Sequence, residues 1–401
     1  MGLLPQRTGV YFLLLFLFAE PAIRETGPWT VLWAAPAILA SAVMIAWAAE
    51  SAQYFVAQGF ALAILAWLQT LPEFAIEAVI AWHRQVPLLM AGLTGALRLL
   101  TGFGWPMIYF TAAFCNRRRG SAPLRTIRLH DHHAVEVVGL LASLVYMGVV
   151  AWKGALTIAD GVVLIAIYTA YLLILSKLPP EDAETIEDLE SVPRHIVTAP
   201  RKQRIAMIAG LFVAGGVLIY LSAEPFLGSL LSLSALLGIP TFVFVQWMAP
   251  LVSEFPEMAS TFYWARTVER APVALMNMVS SNVNQWTLLV AMLPVIYSLS
   301  AGHASAIVFD AHQETELVLT IAQASVGLVF LVNMELAWWE ATVLFVLFAV
   351  PFASASLAKP VTIVYFAWAG VELVRMLAGQ RAPKAFTEFA RIWRTVIRRR
   401  P

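Results

Sequence analysis

Two proline–glutamate pairs lie inside apolar stretches of the sequence. One is Gln69-Thr70-Leu71-Pro72-Glu73, within residues 61–82, and the other is Ser253-Glu254-Phe255-Pro256-Glu257, within residues 242–264. A carboxylate held in hydrocarbon costs roughly 3 kcal/mol or more, so its presence marks a candidate functional site. A proline beside it breaks the helix and frees backbone carbonyl oxygens. Two such breaks, one in each half of a chain, are the pattern of a membrane ion site. Glu77 stands one turn after Glu73. It reads either as a further carboxylate of the site or as a charge at the mouth of an ion path. Glu50 and Glu224 occupy matching places ahead of the two pairs, where they either line an ion path or, the safer reading, are solvated span ends. His130-Asp131-His132-His133, with Glu136, offers ligands of the kind Zn²⁺ takes. At the start of a span, with Asp131 near the helix N-terminus, it reads rather as a polar cap.

The elements that must carry these groups are membrane helices. The 401 residues are 60% hydrophobic and 13% charged, and the mean hydropathy is +0.76. A soluble domain is nearer half apolar and a quarter charged. Apolar runs long enough to cross about 30 Å of hydrocarbon recur throughout. The expected spans lie near 8–21, 28–48, 54–82, 87–114, 133–152, 157–176, 205–222, 239–265, 272–299, 315–333, 338–357 and 360–378. Residues 226–237 are also apolar and either lengthen a span or lie in the interface. The expected fold is an all-α polytopic membrane protein with about 10–12 transmembrane helices. Residues 1–27 form an N-terminal segment carrying a candidate extra span, since Glu20-Pro21-Ala22 is a poor signal-peptide cleavage site. The halves are 28–176 and 205–357, joined by an acidic, solvated linker, 177–204. An extra span, 358–380, and a basic tail, 381–401, follow.

Positive charge orients the spans. Arg117, Arg118, Arg119, Arg125 and Arg128 follow the fourth span. Lys177, Arg194, Arg201, Lys202 and Arg204 lie in the linker, Arg266 and Arg270 precede residue 272, and Arg381, Lys384, Arg391 and Arg394 lie in the tail. Alternate threading puts all of them on one side, whereas residues 300–316 hold no lysine or arginine. Both termini are therefore expected to be cytoplasmic, in a plasma (inner) membrane, with Arg84 and Lys359 against the trend. Residues 385–400 alternate aromatic and basic residues as an amphipathic helix on an anionic surface does. A net charge of +1 argues against a nucleic-acid partner, and no nucleotide or phosphate-loop motif is present, so any transport must run on an ion gradient. The single cysteine, Cys115, excludes an intrachain disulfide framework and reads as an ordinary thiol near a membrane edge. No cofactor and no enzymatic activity are expected.

The halves repeat. Each Pro-Glu span is followed by a polar turn and a span opening on small residues, Met90-Ala91-Gly92-Leu93-Thr94-Gly95-Ala96 in one and Met276-Asn277-Met278-Val279-Ser280-Ser281-Asn282 in the other. The threading runs the Glu73 span outward and the Glu257 span inward, an inverted-topology repeat with both glutamates near the midplane. These motifs resemble those of the cation/calcium exchanger superfamily, which includes sodium/calcium exchangers. The resemblance covers residues 45–112 and 220–298 and extends loosely to the layout around the linker. That family's repeat reads roughly A-x-x-T-S-x-P-E, then G-N-x-x-G-S-N-x-x-N/D.

The resemblance implies a cation site built by Glu73 and Glu257, the two metal-binding carboxylates. Gln69, Thr70, Ser253, Glu254, Ser281, Asn282 and Asn284 or Gln285 would surround them. Ca²⁺ takes six to eight oxygens, and two carboxylates neutralise one ion. The implied function is secondary antiport by alternating access, exchanging Ca²⁺ or another cation for Na⁺ or H⁺. Its partners would be inorganic cations and the lipid bilayer, with no nucleotide. The sequence departs from the pattern in three places. The family's Ser and Asn positions in the first repeat fall on Ala96 and Leu97, Glu254 stands where the family has Ser, and Arg98 sits in the middle of an apolar span. A buried guanidinium stays charged and must find a partner. Arg98 has two readings: facing the repeat interface it would modulate the site by pairing with Glu73, Glu254 or Glu257, and otherwise it snorkels to a headgroup or locks helices together. If it neutralised those glutamates, the alternative would be an exchanger fold without transport, acting as a sensor or scaffold.

Overall fold

The computed structural model describes residues 26–53, 55, 70–178, 189 and 191–397. The expected span at 8–21, Gln69 and most of the acidic linker sequence lie outside these residues. In chain order the helices are α1 (Val31–Gln53), α2 (Leu71–Trp82), α3 (Val86–Arg118), α4 (Ala134–Lys153), α5 (Ile158–Leu175), α6 (Ser191–Thr198) and α7 (Arg201–Leu237). They continue as α8 (Thr241–Ser253), α9 (Phe255–Ala265), α10 (Ala271–Ala301), α11 (Ala311–Leu331), α12 (Trp338–Ala353), α13 (Ala358–Leu377) and α14 (Lys384–Ile392). Among the described residues, eight helices are long and apolar enough to cross a membrane, and α8 and the Trp338–Phe352 stretch are shorter apolar helices. The fold is the expected polytopic all-α bundle. Residues 226–237 simply extend α7, because Pro225 falls inside a 37-residue helix and does not end it.

Two small sheets display the inverted repeat. Strands β1 (Thr126–Arg128) and β4 (Glu335–Ala337) pair antiparallel, as do β2 (Ala155–Leu156) and β3 (Ile307–Val308). Helix α4 therefore runs from the first sheet to the second, and α11 runs from the second back to the first. These are equivalent helices of the two halves, packed side by side in opposite directions. The halves interlock elsewhere too, since α3 packs along α8 and α7 packs along α1.

The α3–α8 contact is close because of one glycine. A Cβ on Gly95 would stand 1.9 Å from the Gln246 backbone carbonyl oxygen. Small residues at such crossings let membrane helices approach. Gly95→Ala must push the two helices apart, and forced overpacking of this kind costs about 1–3 kcal/mol. The variant is expected to show a lowered thermal midpoint in detergent, whereas an unchanged midpoint would place the contact outside the stabilising core.

The tail is docked on the bundle. Helix α14 packs against α4 and the His130–His133 turn. The reason is a set of buried carboxylates. Arg381 pairs with Glu340 at 2.6 Å and Glu372 at 2.8 Å and donates to the Phe330 carbonyl at 2.7 Å. Arg391 reaches Asp131 at 2.5 Å, so Asp131 is engaged by the tail. His133 Nδ1 accepts from the His130 backbone N–H at 3.3 Å, so a cap forms here on the histidines and not on Asp131. The ligating atoms of His130, His132 and His133 also lie within 4.8 Å of one another.

Candidate functional site

Each Pro-Glu pair opens a half-helix. Pro72 occupies the first turn of α2, where its missing N–H costs nothing, and Glu73 follows in the same turn. In the second half α8 ends at Ser253, Glu254 adopts φ −87° and ψ −8°, and α9 restarts through Phe255-Pro256 with Glu257 in its first turn. Both glutamates thus sit at the positive ends of half-helices, where the macrodipole favours negative charge.

The breaks bring the carboxyl groups of the two halves together. Glu254 sits between Glu73 and Glu257, near enough to interact electrostatically with both carboxyl groups. Gln285 of α10 donates from Nε2 to Glu73 at 2.9 Å and to Glu254 at 2.9 Å, bridging the repeats. Asn284, its neighbour, donates to Thr70 Oγ1 at 2.6 Å. The Ser281 hydroxyl donates to Glu257, and Asn277 Nδ2 lies 3.5 Å from the same oxygen. Glu73, Glu77 and Ser253 line a void of about 10 Å³ with Gly92, Ala96, Ala249 and Pro250, room for about one water-sized species. Gly92 makes that space, since a Cβ there would stand 2.1 Å from Glu77 Oε1. Glu73 Oε1, Glu77 Oε2 and Gln285 Oε1 are enclosed without a hydrogen-bond partner among the described residues. An enclosed acceptor left unmatched costs about 1–3 kcal/mol, so the two carboxylate oxygens are poised to take a proton or cation and the amide oxygen a cation or a donor.

Of the expected site residues, Glu73, Glu254, Glu257, Ser281 and Gln285 converge directly, with Thr70, Asn284 and Ser253 beside them. Glu77 belongs to the interior of the cluster and not to its mouth. Both candidates for the last amide position, Asn284 and Gln285, are used. Asn282 is not; its Oδ1 accepts from Thr101 at 3.4 Å on a different helix face.

Arg98 follows the second of its two readings and locks helices together. Its Nη1 donates to Glu316 of α11 at 2.8 Å, and its guanidinium lies 5.1 Å from the Trp247 ring centre. No bond joins it to Glu73, Glu254 or Glu257 among the described residues. Gln246 Nε2 donates to the same Glu316 oxygen at 2.8 Å and to Thr94 Oγ1 at 3.1 Å, and Gln323 holds the Arg98 carbonyl at 2.9 Å. The positive charge is consumed by a carboxylate of the second half, so the acidic site keeps its own. Glu316, Gln246 and Gln323 escaped the sequence reading. Each is a polar group in an apolar span, which was the available signal.

One further feature matches across the repeats. Helix α3 carries a π-helical turn at Leu100–Gly104, and α10 carries one at Gln285–Leu289. Such turns insert an extra residue into a helix and are frequent at functional sites. Gln285 begins the second of them.

Known proteins agree with this architecture. The sodium/calcium exchanger protein family matches residues 26–177 and 207–354. No curated protein matches the chain. Among solved structures, the H⁺/Ca²⁺ exchanger CAX is 30% identical, with a TM-score of 0.82 over 97% of this chain and 94% of that one. The sodium-calcium exchanger NCX_Mj shares the fold at 16% identity and a TM-score of 0.51, over 86% of this chain and 98% of that one. YfkE shares it at 13% identity and a TM-score of 0.55, over 89% and 99%. With two interlocked, oppositely directed repeats that meet at paired glutamates, the chain is an integral membrane protein and belongs to the sodium/calcium exchanger family.

Proposed function

We propose that this protein is a secondary antiporter that exchanges Ca²⁺ for protons by alternating access. Glu73, Glu254 and Glu257 would bind both ions in turn. The observation that carries this reading is the run of neighbouring carboxyl groups from Glu73 through Glu254 to Glu257 across the repeat interface. Carboxyl groups this close can share protons through hydrogen bonds when one of them is protonated. Replacing such protons by Ca²⁺ leaves the site close to neutral in both loaded forms. Neither form then carries a bare charge through the bilayer, which would be costly. The 30% identity to an H⁺/Ca²⁺ exchanger supports the same ion pair. The basic loops support a plasma (inner) membrane location with cytoplasmic termini. The chain moves ions and makes no covalent change.

Purified protein in liposomes tests this. An acidic interior should drive Ca²⁺ accumulation that a protonophore abolishes, and an outward Na⁺ gradient at equal pH should not. Accumulation driven by Na⁺ and indifferent to the pH gradient would overturn the proton assignment.

A further inference from the structure

At the end of the bundle that carries β1 and β4, α3 and α9 border a groove of about 660 Å³ on the outer face of the protein. Its composition is ordered by depth. On α3, Phe110, Phe114 and Arg118 follow one another at one-turn spacing, and Phe262 on α9 is followed at the same spacing by Arg266, which caps that helix. Phenyl rings therefore lie toward the membrane interior and guanidinium groups at its edge, joined there by Arg119. The rings are open, with Phe110, Phe114 and Phe262 at 40%, 58% and 47% exposure.

No carboxylate lines the groove. Arg118, Arg119 and Arg266 have no ion-pair partner among the described residues, whereas buried Arg98 and Arg381 each do. Arg118 lies over the Phe114 ring, 4.6 Å from its centre, which holds the side chain at the groove. Helix C-termini favour cations, and that accounts for one arginine on each helix. It does not account for three around a shared apolar trough.

We propose that this groove holds an anionic phospholipid, with its phosphate among Arg118, Arg119 and Arg266 and an acyl chain along Phe110, Phe114 and Phe262. Paired cationic and apolar surfaces at the boundary depth match a headgroup and chain together, as basic pockets between membrane helices do. Arginine suits the phosphate because its planar fork donates two parallel bonds. The inference concerns lipid recognition and stands whether or not the acidic site exchanges Ca²⁺ for protons.

The protein carries its own probe. Cys115, the one cysteine of the chain, lines the groove and is half-buried. The full-length protein is reconstituted in phosphatidylcholine vesicles with and without phosphatidylglycerol, and the rate of Cys115 labelling by an uncharged maleimide is measured. Phosphatidylglycerol is expected to slow labelling at least about fivefold, the effect of a single arginine–headgroup contact. The protection should vanish in the triple variant Arg118→Gln, Arg119→Gln, Arg266→Gln and return when the three are lysine. Equal rates in both lipids would overturn the proposal. So would protection by soluble glycerol phosphate alone, which would indicate a free-phosphate site. Ready Cys115–Cys115 cross-linking in the membrane would overturn it as well, because a second copy would then cover the groove.

Discussion

With Glu73 and Glu257 both replaced by glutamine, cation exchange in liposomes is expected to fall at least about 100-fold, while the protein still folds. Even residues one shell removed from a metal cost 10–100-fold in affinity when altered, and these carboxylates would touch the ion itself. Glutamine keeps the volume and the polar contacts. Its amide can donate to Glu254 where Glu73 now meets it, and its carbonyl can accept from Gln285, so the α2–α8–α10 junction retains its bonds. What disappears is the ability to carry either a negative charge or an exchangeable proton. The measurement is Ca²⁺ flux under a pH gradient, with gel filtration in detergent as the control for folding. Exchange that survives the double substitution would put the ion path elsewhere.

The second large effect is on stability. Arg98 and Glu316 form a fully enclosed pair between α3 and α11, two helices from different halves of the chain. Removing one partner strands the other's charge in a dry interior, at a cost of about 3–5 kcal/mol. Arg98→Ala and Glu316→Ala are each expected to lower the thermal midpoint sharply or to prevent recovery of folded protein. Arg98→Met together with Glu316→Leu removes both charges and fills the space, and should recover most of the loss. A double variant no better than the singles would show that the pair does more than balance charge. If the recovered double variant also transports, Arg98 has no direct part in ion binding.

Arg98 also marks the boundary of what could be read without coordinates. Glu73 and Glu257 were legible because a carboxylate and a proline in an apolar run are both locally anomalous. The direction of the two halves was legible because arginine gathers on one side of a membrane. The partner of Arg98 lies 218 residues away on another helix, and only the crossing of α3 over α11 decides that they meet. Helix α3 is buried on nearly every side, so its apolar residues show no face from which a neighbour could be inferred. The same lack of phase hid the π-helical turns, since an extra residue shifts a pattern only where a pattern exists. It also left the choice between Asn284 and Gln285 open, and the turn at Gln285 is where the structure uses both.

Those two turns carry a message about descent. The halves have drifted far apart: where one keeps Ser281, Asn282 and Asn284, the other has Ala96 and Leu97 and has taken up a guanidinium. Yet Leu100–Gly104 and Gln285–Leu289 interrupt their helices at the equivalent place. The simplest history is a single insertion, made in an ancestor with one repeat and then copied when the gene doubled. On that account the extra residue is older than the two-halved protein, and older than the difference between its polar half and its apolar one.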